Sequence, residues 1–324
     1  MSPLPDLDRA IVELVFLGTD KKIGLEQLAN AARTSPTETR RIVQRLSALG
    51  YPLRVCGDSI ERGSFQPIDT QQLRTDLRSQ KIGHRVEWRL HVRSTQDELK
   101  SIEQQAEDGT IVLAETQAAG RGRLTRGWFS PFGGIWMSVL LRPTWPKSYQ
   151  ILTLAFAAAT ATSISAAAGI SPLLKWPNDV IFRSRKIAGI LAEASYEGSK
   201  LNALVVGLGV NANIKTRLFP RELRESATSI SRELGREIDR TVLARRMLQE
   251  MDSAYRKFES GRETELLDEV RRLCSTLGRT VEVTTVEGKF RGEALNIGDD
   301  GQLIVRLGSG AMVPFYAAEV VHLR

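Results

Sequence analysis

Cysteine and histidine are nearly missing from this 324-residue chain, which has two cysteines, Cys56 and Cys274, and three histidines, His84, His91 and His322. The cysteines stand far apart and form no CxxC pair, so neither a zinc ribbon nor a disulfide framework is suggested, and reduced, structural thiols are expected. The histidines show no ligand spacing and read as surface or partly buried side chains, so no histidine or cysteine metal site is expected. A secretory signal pattern is missing too: residues 1–8 carry prolines and aspartates where a basic stretch and an apolar run would be needed. That places the chain in the cytoplasm. Long apolar runs are scarce. Residues 151–170 are uncharged and long enough to span a bilayer. Alanines dominate them, however, and Thr153, Thr160, Thr162, Ser163 and Ser165 interrupt them, so transfer into hydrocarbon is weakly driven. A buried helix against a sheet is expected there, and no membrane partner.

What is present fits a globular chain of two or three domains, with 42% hydrophobic and 26% charged residues. The net charge of +7 invites a nucleic-acid partner, but its location matters. Residues 1–65 hold nine Lys/Arg against eight Asp/Glu, whereas 71–93 hold six against two. Basicity alone therefore assigns no DNA binding to the N-terminus.

Residues 1–65 read as three short helices and a turn-rich strip. Ile11, Leu14 and Val15 fall at helical spacing, as do Leu25, Leu28, Ala29 and Ala32, and then Ile42, Val43, Leu46 and Leu49. Ser35 with Glu38 forms a capping box around Pro36 at the first helical position. After Tyr51, the residues Leu53, Val55 and Ile60 flank the turn formers Gly57, Asp58 and Ser59, which predicts a hairpin wing. A winged helix-turn-helix follows, whose third helix offers Thr37, Arg40, Arg41 and Gln44 to phosphates and base edges. A merely solvated face and a protein-docking module present the same pattern.

Residues 66–84 are polar and read as a linker, either a plain connector or a short linking helix. A second domain, 85–276, alternates strands (87–92, 111–115, 135–141, 180–183, 188–195, 201–210) with helices (95–106, capped by Thr95 with Glu98; 149–168; 241–260; 263–277). Turns after Lys175 are too short for crossover helices, which predicts a mixed or antiparallel sheet and an α+β class. Residues 277–324 switch to period two, with about five short strands that fit a small barrel of SH3 type.

Two segments carry chemistry. Gly120-Arg121-Gly122-Arg123-Leu124-Thr125-Arg126-Gly127-Trp128 combines glycines that let backbone N–H groups approach an anion with arginines that have no acidic neighbour in sequence. It lacks a GK[ST] ending and opens no helix, so it is neither a P-loop nor a dinucleotide fingerprint. On composition alone, a flexible basic loop for RNA fits as well. Lys175-Trp176-Pro177-Asn178-Asp179 reads as a turn between strands, and Lys186 opens the next strand. A hairpin there could bring Lys175 and Lys186 to one cleft, where cations allow a carboxylate to attack a phosphate.

These residues resemble the biotin protein ligases, in the bifunctional form that also represses a biotin operon. The resemblance rests on five ordered stretches: Gln117-Ala118-Ala119-Gly120-Arg121-Gly122-Arg123, Trp128-Phe129-Ser130-Pro131, Lys175-Trp176-Pro177-Asn178-Asp179, Arg185-Lys186-Ile187-Ala188-Gly189-Ile190-Leu191 and Gly207-Leu208-Gly209-Val210-Asn211. It implies that biotin and MgATP give biotinyl-5′-adenylate and pyrophosphate, after which a lysine of a carboxylase's biotin carrier domain attacks the mixed anhydride. It further implies that Ser94, Thr95, Gln96 and Gln117 hold the ureido head, with Gly120 and Gly189 also on the substrate. Arg121 and Arg123 take the carboxylate and phosphates, and Lys186 stabilises the developing charge. Trp128, Lys175, Asn178 and Asn211 serve the nucleotide, and Asp179 lies beside the phosphates and a magnesium-bound water. Operator DNA and a homodimer formed with bound adenylate are the implied partners. Two positions depart from the family pattern: Thr125 stands where a glycine is usual, and Cys56-Gly57-Asp58-Ser59 replaces Gly-Lys-Gly-Tyr in the wing. Two rival functions stay open, a lipoate-type ligase and a repressor that senses its ligand without ligating it.

Overall fold

The computed structural model describes residues 6–18, 20–48, 50–63, 67–124, 126–143, 148–198, 200–316 and 318–323. At the N-terminus, α1 (Asp6–Leu17), α2 (Leu25–Ala31) and α3 (Pro36–Ala48) enclose a small core of Ile11, Val15, Leu28, Ile42, Val43 and Leu46. Ser35 Oγ accepts the Glu38 N–H at 3.2 Å, so the expected serine half of the capping box is in place. Asp8 and Arg45 pair across α1 and α3, Nε to Oδ2 at 2.9 Å. The hairpin β2 (Leu53–Cys56) and β3 (Ser59–Arg62) gains a strand that sequence patterning missed, β1 (Lys22–Gly24), on its outer edge. Three residues between two helices are too few to show a period.

For the expected linker, 66–84, the short-helix alternative is the one seen, and the segment is also packed into its neighbour. It contains α4 (Thr70–Asp76), capped by Asp69, and its Ile68, Leu73, Leu77 and Ile82 are buried in the core of the next domain. Five of the six basic residues of 71–93 have partners. Arg74 donates to the Val86 carbonyl, Lys81 meets Asp108 and Glu259, Arg85 and Arg89 meet Glu87, and Arg93 meets Asp97.

The central sheet contains β4 (Val86–Val92), β5 (Ile111–Arg121), β6 (Gly127–Ser130), β7 (Ile135–Leu141), β8 (Leu173–Lys175), β9 (Asp179–Phe182), β10 (Arg185–Glu197) and β11 (Lys200–Val210). Its order is β4-β5-β7-β11-β10-β9-β8, with β6 on β5; only β4 and β5 run parallel. One face carries α5 (Thr95–Ser101). The other carries α6 (Tyr149–Ala168), α8 (Arg240–Glu259) and α9 (Glu263–Leu273), while α7 (Ile230–Leu234) follows the last strand. Helix α6 is long and apolar enough to cross a membrane, yet most of it is buried inside the protein. Its alanines permit that, because Ala157, Ala158 and Ala161 bring the backbone close to its neighbours. A buried ion pair, Arg240 to Glu115 at 2.7 Å, ties α8 to β5.

The C-terminal sheet is antiparallel, in the order β15 (Met312–Phe315), β14 (Leu303–Leu307), β13 (Gly288–Ile297), β12 (Thr280–Thr285), β16 (Glu319–His322). Alternate residues Val281, Val283, Leu303, Val305 and Val320 point inward and merge with the central core. Cys56 and Cys274 are free thiols, and burial pushes the Cys274 thiol up.

Candidate ligand pocket

The floor of the pocket is a bare strip of β10 and β11. Gly189 stands directly opposite Gly209, and Leu191 opposite Gly207. A Cβ on Gly209 would lie 2.4 Å from Trp128 Nε1, one on Gly189 2.8 Å from Trp128 Cζ3, and one on Gly207 2.8 Å from Gln96 Cδ. Glycine is needed at all three because Trp128 and Gln96 lie flat on the strands. Lys186 completes this corner, its Nζ 4.8 Å from the Trp128 ring centre and 2.6 Å from Asp179 Oδ1.

One wall comes from the start of α5. Ser94, Thr95 and Gln96 are all buried. The expected capping by Thr95 is corrected: Ser94 occupies the cap position without a side-chain bond, and Thr95 turns inward. Gln117 Oε1 accepts from Thr95 N at 2.8 Å and from Thr95 Oγ1 at 3.1 Å, while Gln117 Nε2 donates to Ser130 Oγ at 2.8 Å. Ser138 Oγ lies 2.8 Å from Thr95 Oγ1. This network fixes which end of the Gln117 amide faces which way, something a free glutamine lacks. Gly120 belongs to the same wall, since a Cβ there would stand 2.6 Å from both Ser130 Oγ and Trp128 O.

The arginine and glycine segment is the end of a hairpin. Strand β5, expected to stop near Glu115, continues to Arg121, and β6 pairs back on it through Gly120 with Trp128 and Arg121 with Gly127. Gly122 N–H donates to Arg126 O at 2.7 Å, and Leu124 takes φ 53° at the tip. Thr125 lies outside the described residues. Folding also supplies the acidic partners that the segment lacks in sequence. Arg121 meets Glu193 at 2.8 Å and Asp97 at 3.1 Å, with Lys100 on Glu193 at 3.3 Å. Arg126 pairs with Glu319. Arg123 donates to Asn178 Oδ1 at 3.5 Å and to Ala318 O at 3.2 Å. Burial lowers the Arg123 guanidinium, with Asp179 and Glu319 offsetting this only in part.

Two buried donors here have no acceptor, Arg121 Nε and Trp128 Nε1. Leaving such groups unpaired costs about 1–3 kcal/mol each, so a pocket that contains them is prepared for acceptor atoms.

The remaining expected residues divide. Asn178 Nδ2 donates to Ile190 O at 2.7 Å and Asn178 O accepts Ile190 N–H at 3.0 Å, which pins the turn before β9 to β10. Lys175 stands opposite Asp179 in the β8–β9 pairing, and Asp179 Oδ1 is the partner of Lys186 Nζ at 2.6 Å. The charge of Lys175 also helps to depress the imidazole of His322, after burial. Asn211, expected against the adenine, is buried with Nδ2 donating to Thr228 O at 2.9 Å, so it holds the chain's own segment. Sequence reasoning missed Asp97, Lys100, Ser130, Ser138 and Glu193. For Glu193 a signal existed, since it shares with Gly189 the two-residue period of β10.

Residues 89–211 match the Biotin/lipoate A/B protein ligase family, and residues 276–323 match the Biotin protein ligase C terminal domain. The chain is 31% identical to the bifunctional ligase/repressor BirA of Bacillus spizizenii, over 97% of this chain and 98% of that protein. It is 34% identical to a biotin–[acetyl-CoA-carboxylase] ligase of Mycobacterium tuberculosis, over 67% of this chain and 80% of that one. A solved biotin protein ligase from Aquifex aeolicus, in complex with biotin and ATP, superposes with a TM-score of 0.66 at 29% identity, over 74% of this chain and 99% of that one. The chain thus belongs to the biotin protein ligase family, on the side of its bifunctional ligase/repressors.

Proposed function

We propose that this chain activates biotin with MgATP as biotinyl-5′-adenylate and passes the biotinyl group to a lysine of a carboxylase's carrier domain. The pair of buried, unpaired donors carries this proposal, because Arg121 Nε and Trp128 Nε1 stand on the two paired strands of one hairpin, with Lys186 over the Trp128 ring. A carboxylate and a triphosphate repel each other, and Arg121, Arg123 and Lys186 offset that repulsion where they meet. Attack of the carboxylate oxygen on the α-phosphorus forms the P–O bond and expels pyrophosphate, and the carrier amine later expels AMP from the acyl carbon. Gln117, held by Thr95 and Ser130, orients the ureido head. Lys186, lying on Trp128 and paired with Asp179, shifts towards the new negative charge.

A magnesium ion belongs with the nucleotide rather than with a protein cage: among the described residues, no cluster of three or more His, Cys, Asp or Glu could hold one. One carboxylate plus substrate phosphates is an ordinary magnesium donor set, and Asp179 is the residue that would meet it, with Asn178 beside it. When bound, the ion screens phosphate charge.

Purified protein incubated with labelled biotin, MgATP and a biotin carrier domain tests the proposal. Label on the carrier supports it. Pocket occupancy without transfer would instead identify a ligand sensor, and transfer of lipoate in preference to biotin a lipoate-type ligase.

A second role follows from the N-terminal module, which we take as a winged helix that binds operator DNA. Thr37, Arg41 and Gln44 are exposed along α3, and Arg40 reaches the hairpin turn, donating to Gly57 O at 2.9 Å. Helix and wing are thereby held as one surface. In this proposal the protein works in the cytoplasm, dimerises when the adenylate is bound, and uses the C-terminal strands as an SH3-like barrel.

A further inference from the structure

The turn that carries Asn178 and Asp179 is held on one side by β10, through Ile190, and on the other by the C-terminal part of the chain. Trp176 is buried at 1% exposure, and its Nε1–H donates to Gly301 O at 3.0 Å, in the β13–β14 turn of the C-terminal sheet. The Trp176 backbone N–H donates to Thr276 Oγ1 at 3.1 Å. The Thr276 hydroxyl also hydrogen-bonds His322 Nε2, 3.1 Å away on β16. Ser275 N and Oγ both donate to Leu174 O, at 2.8 and 2.7 Å, and Gln150 Nε2 donates to Pro177 O at 3.4 Å. Nothing on the Gln117 wall takes part in this clamp. That wall is fixed instead by Thr95, Ser130 and Ser138.

We propose that Trp176 and Thr276 are positioning residues through which the C-terminal sheet sets the turn bearing Asn178 and Asp179, and thereby the Lys186 and Arg123 side of the pocket, leaving the Gln117 side untouched. The consequence is a division of labour between the two sides. This rests on the adenylating function proposed above, in which the Lys186 side meets the nucleotide. Losing one buried neutral hydrogen bond corresponds to about a tenfold change.

The test uses the full chain as Trp176→Phe, as Thr276→Val, which keeps side-chain shape while removing the hydroxyl, and as Thr276→Ser, which restores it. Two quantities are measured, steady-state pyrophosphate release against MgATP and against biotin, and amide hydrogen exchange. For Trp176→Phe and Thr276→Val, kcat/KM for MgATP is expected to fall about tenfold, KM for biotin to stay within about twofold, and Thr276→Ser to recover the wild-type value. Exchange should quicken at the Ile190 amide, which binds Asn178 O, and stay unchanged at the Thr95 amide, which binds Gln117. Equal losses for both substrates, or an unaltered Ile190 amide, would overturn the proposal. If the wild-type chain released no pyrophosphate, the adenylating function would fail, and the exchange data alone would still decide whether the clamp positions the turn.

Discussion

Gly209 offers a perturbation whose size follows from distances alone. An alanine Cβ there would lie 2.4, 2.5 and 2.8 Å from Nε1, Cε2 and Cζ2 of Trp128. Favourable carbon contacts start near about 3.5 Å, so the indole must retreat by roughly 1 Å. It has little room, because the same indole also lies over Gly189, where a Cβ would stand 2.8 Å from its Cζ3, and Lys186 lies over its face. Gly209 does not have a left-handed φ, so alanine adds no backbone strain and the effect is steric. Overpacking of this kind costs about 1–3 kcal/mol. If that cost falls on seating Trp128 and its hairpin, kcat/KM for MgATP should drop roughly five- to 150-fold, at the usual 1.36 kcal/mol per decade. The assay is pyrophosphate release by Gly209→Ala, with near-ultraviolet circular dichroism to confirm folding. Gly308→Ala is the control, since a Cβ there meets nothing within 4 Å. Wild-type kinetics in a folded Gly209→Ala protein would refute the claim that Trp128 must lie on the glycine strip, as would equal damage from Gly308→Ala.

Other outcomes are expected from the same contacts. Lys186→Ala should remove most adenylation while keeping the fold, because Lys186 is partly exposed and its loss leaves only Asp179 without its cation; pyrophosphate release at the wild-type rate would contradict this. Arg240→Met should destabilise by about 3–5 kcal/mol in denaturant titration, because it strands the fully buried Glu115 carboxylate as an uncompensated charge. A loss below about 1 kcal/mol would mean that Trp88 Nε1 and Ile68 N–H suffice for Glu115. His322 is pushed down to about 4, by burial first and then by the charges of Lys175 and Arg279. Between that value and the ordinary 6.5 the unfolded chain binds the extra proton, so this contribution to stability is complete above about pH 6.5 and is lost as pH falls towards 4. His322→Gln should flatten that part of the stability profile, and an unaltered profile would rule the histidine out. Arg41→Ala with Gln44→Ala should weaken binding to the DNA upstream of the protein's own operon at least tenfold while leaving carrier labelling intact, as measured by titration at fixed salt.

How much of this could be read from sequence depended on the range of the interaction. Helix α6 was legible from 149 to 168 because its boundaries are local: Ser148 accepts the Gln150 N–H at 3.3 Å, and Gly169 ends the helix at φ 67°. The strands after Lys175 were legible for the same reason, since short turns force antiparallel neighbours. Strand β1 and the packing of α4 were not. A three-residue strand has no period to detect, and Leu73 with Leu77 looks like any surface pair until Ile82 and the core of the central domain meet it. In the pocket, the glycines and cations were visible as residue types, yet their partners were not. Arg121 reaches Glu193 across 72 positions and Arg123 reaches Ala318 across 195. Such pairs follow from sheet register, which no local pattern encodes. Lys175 and Lys186 sit on adjoining hairpins that share β9, and there the short turn is enough: Lys175 stands opposite Asp179, to which Lys186 Nζ is paired at 2.6 Å.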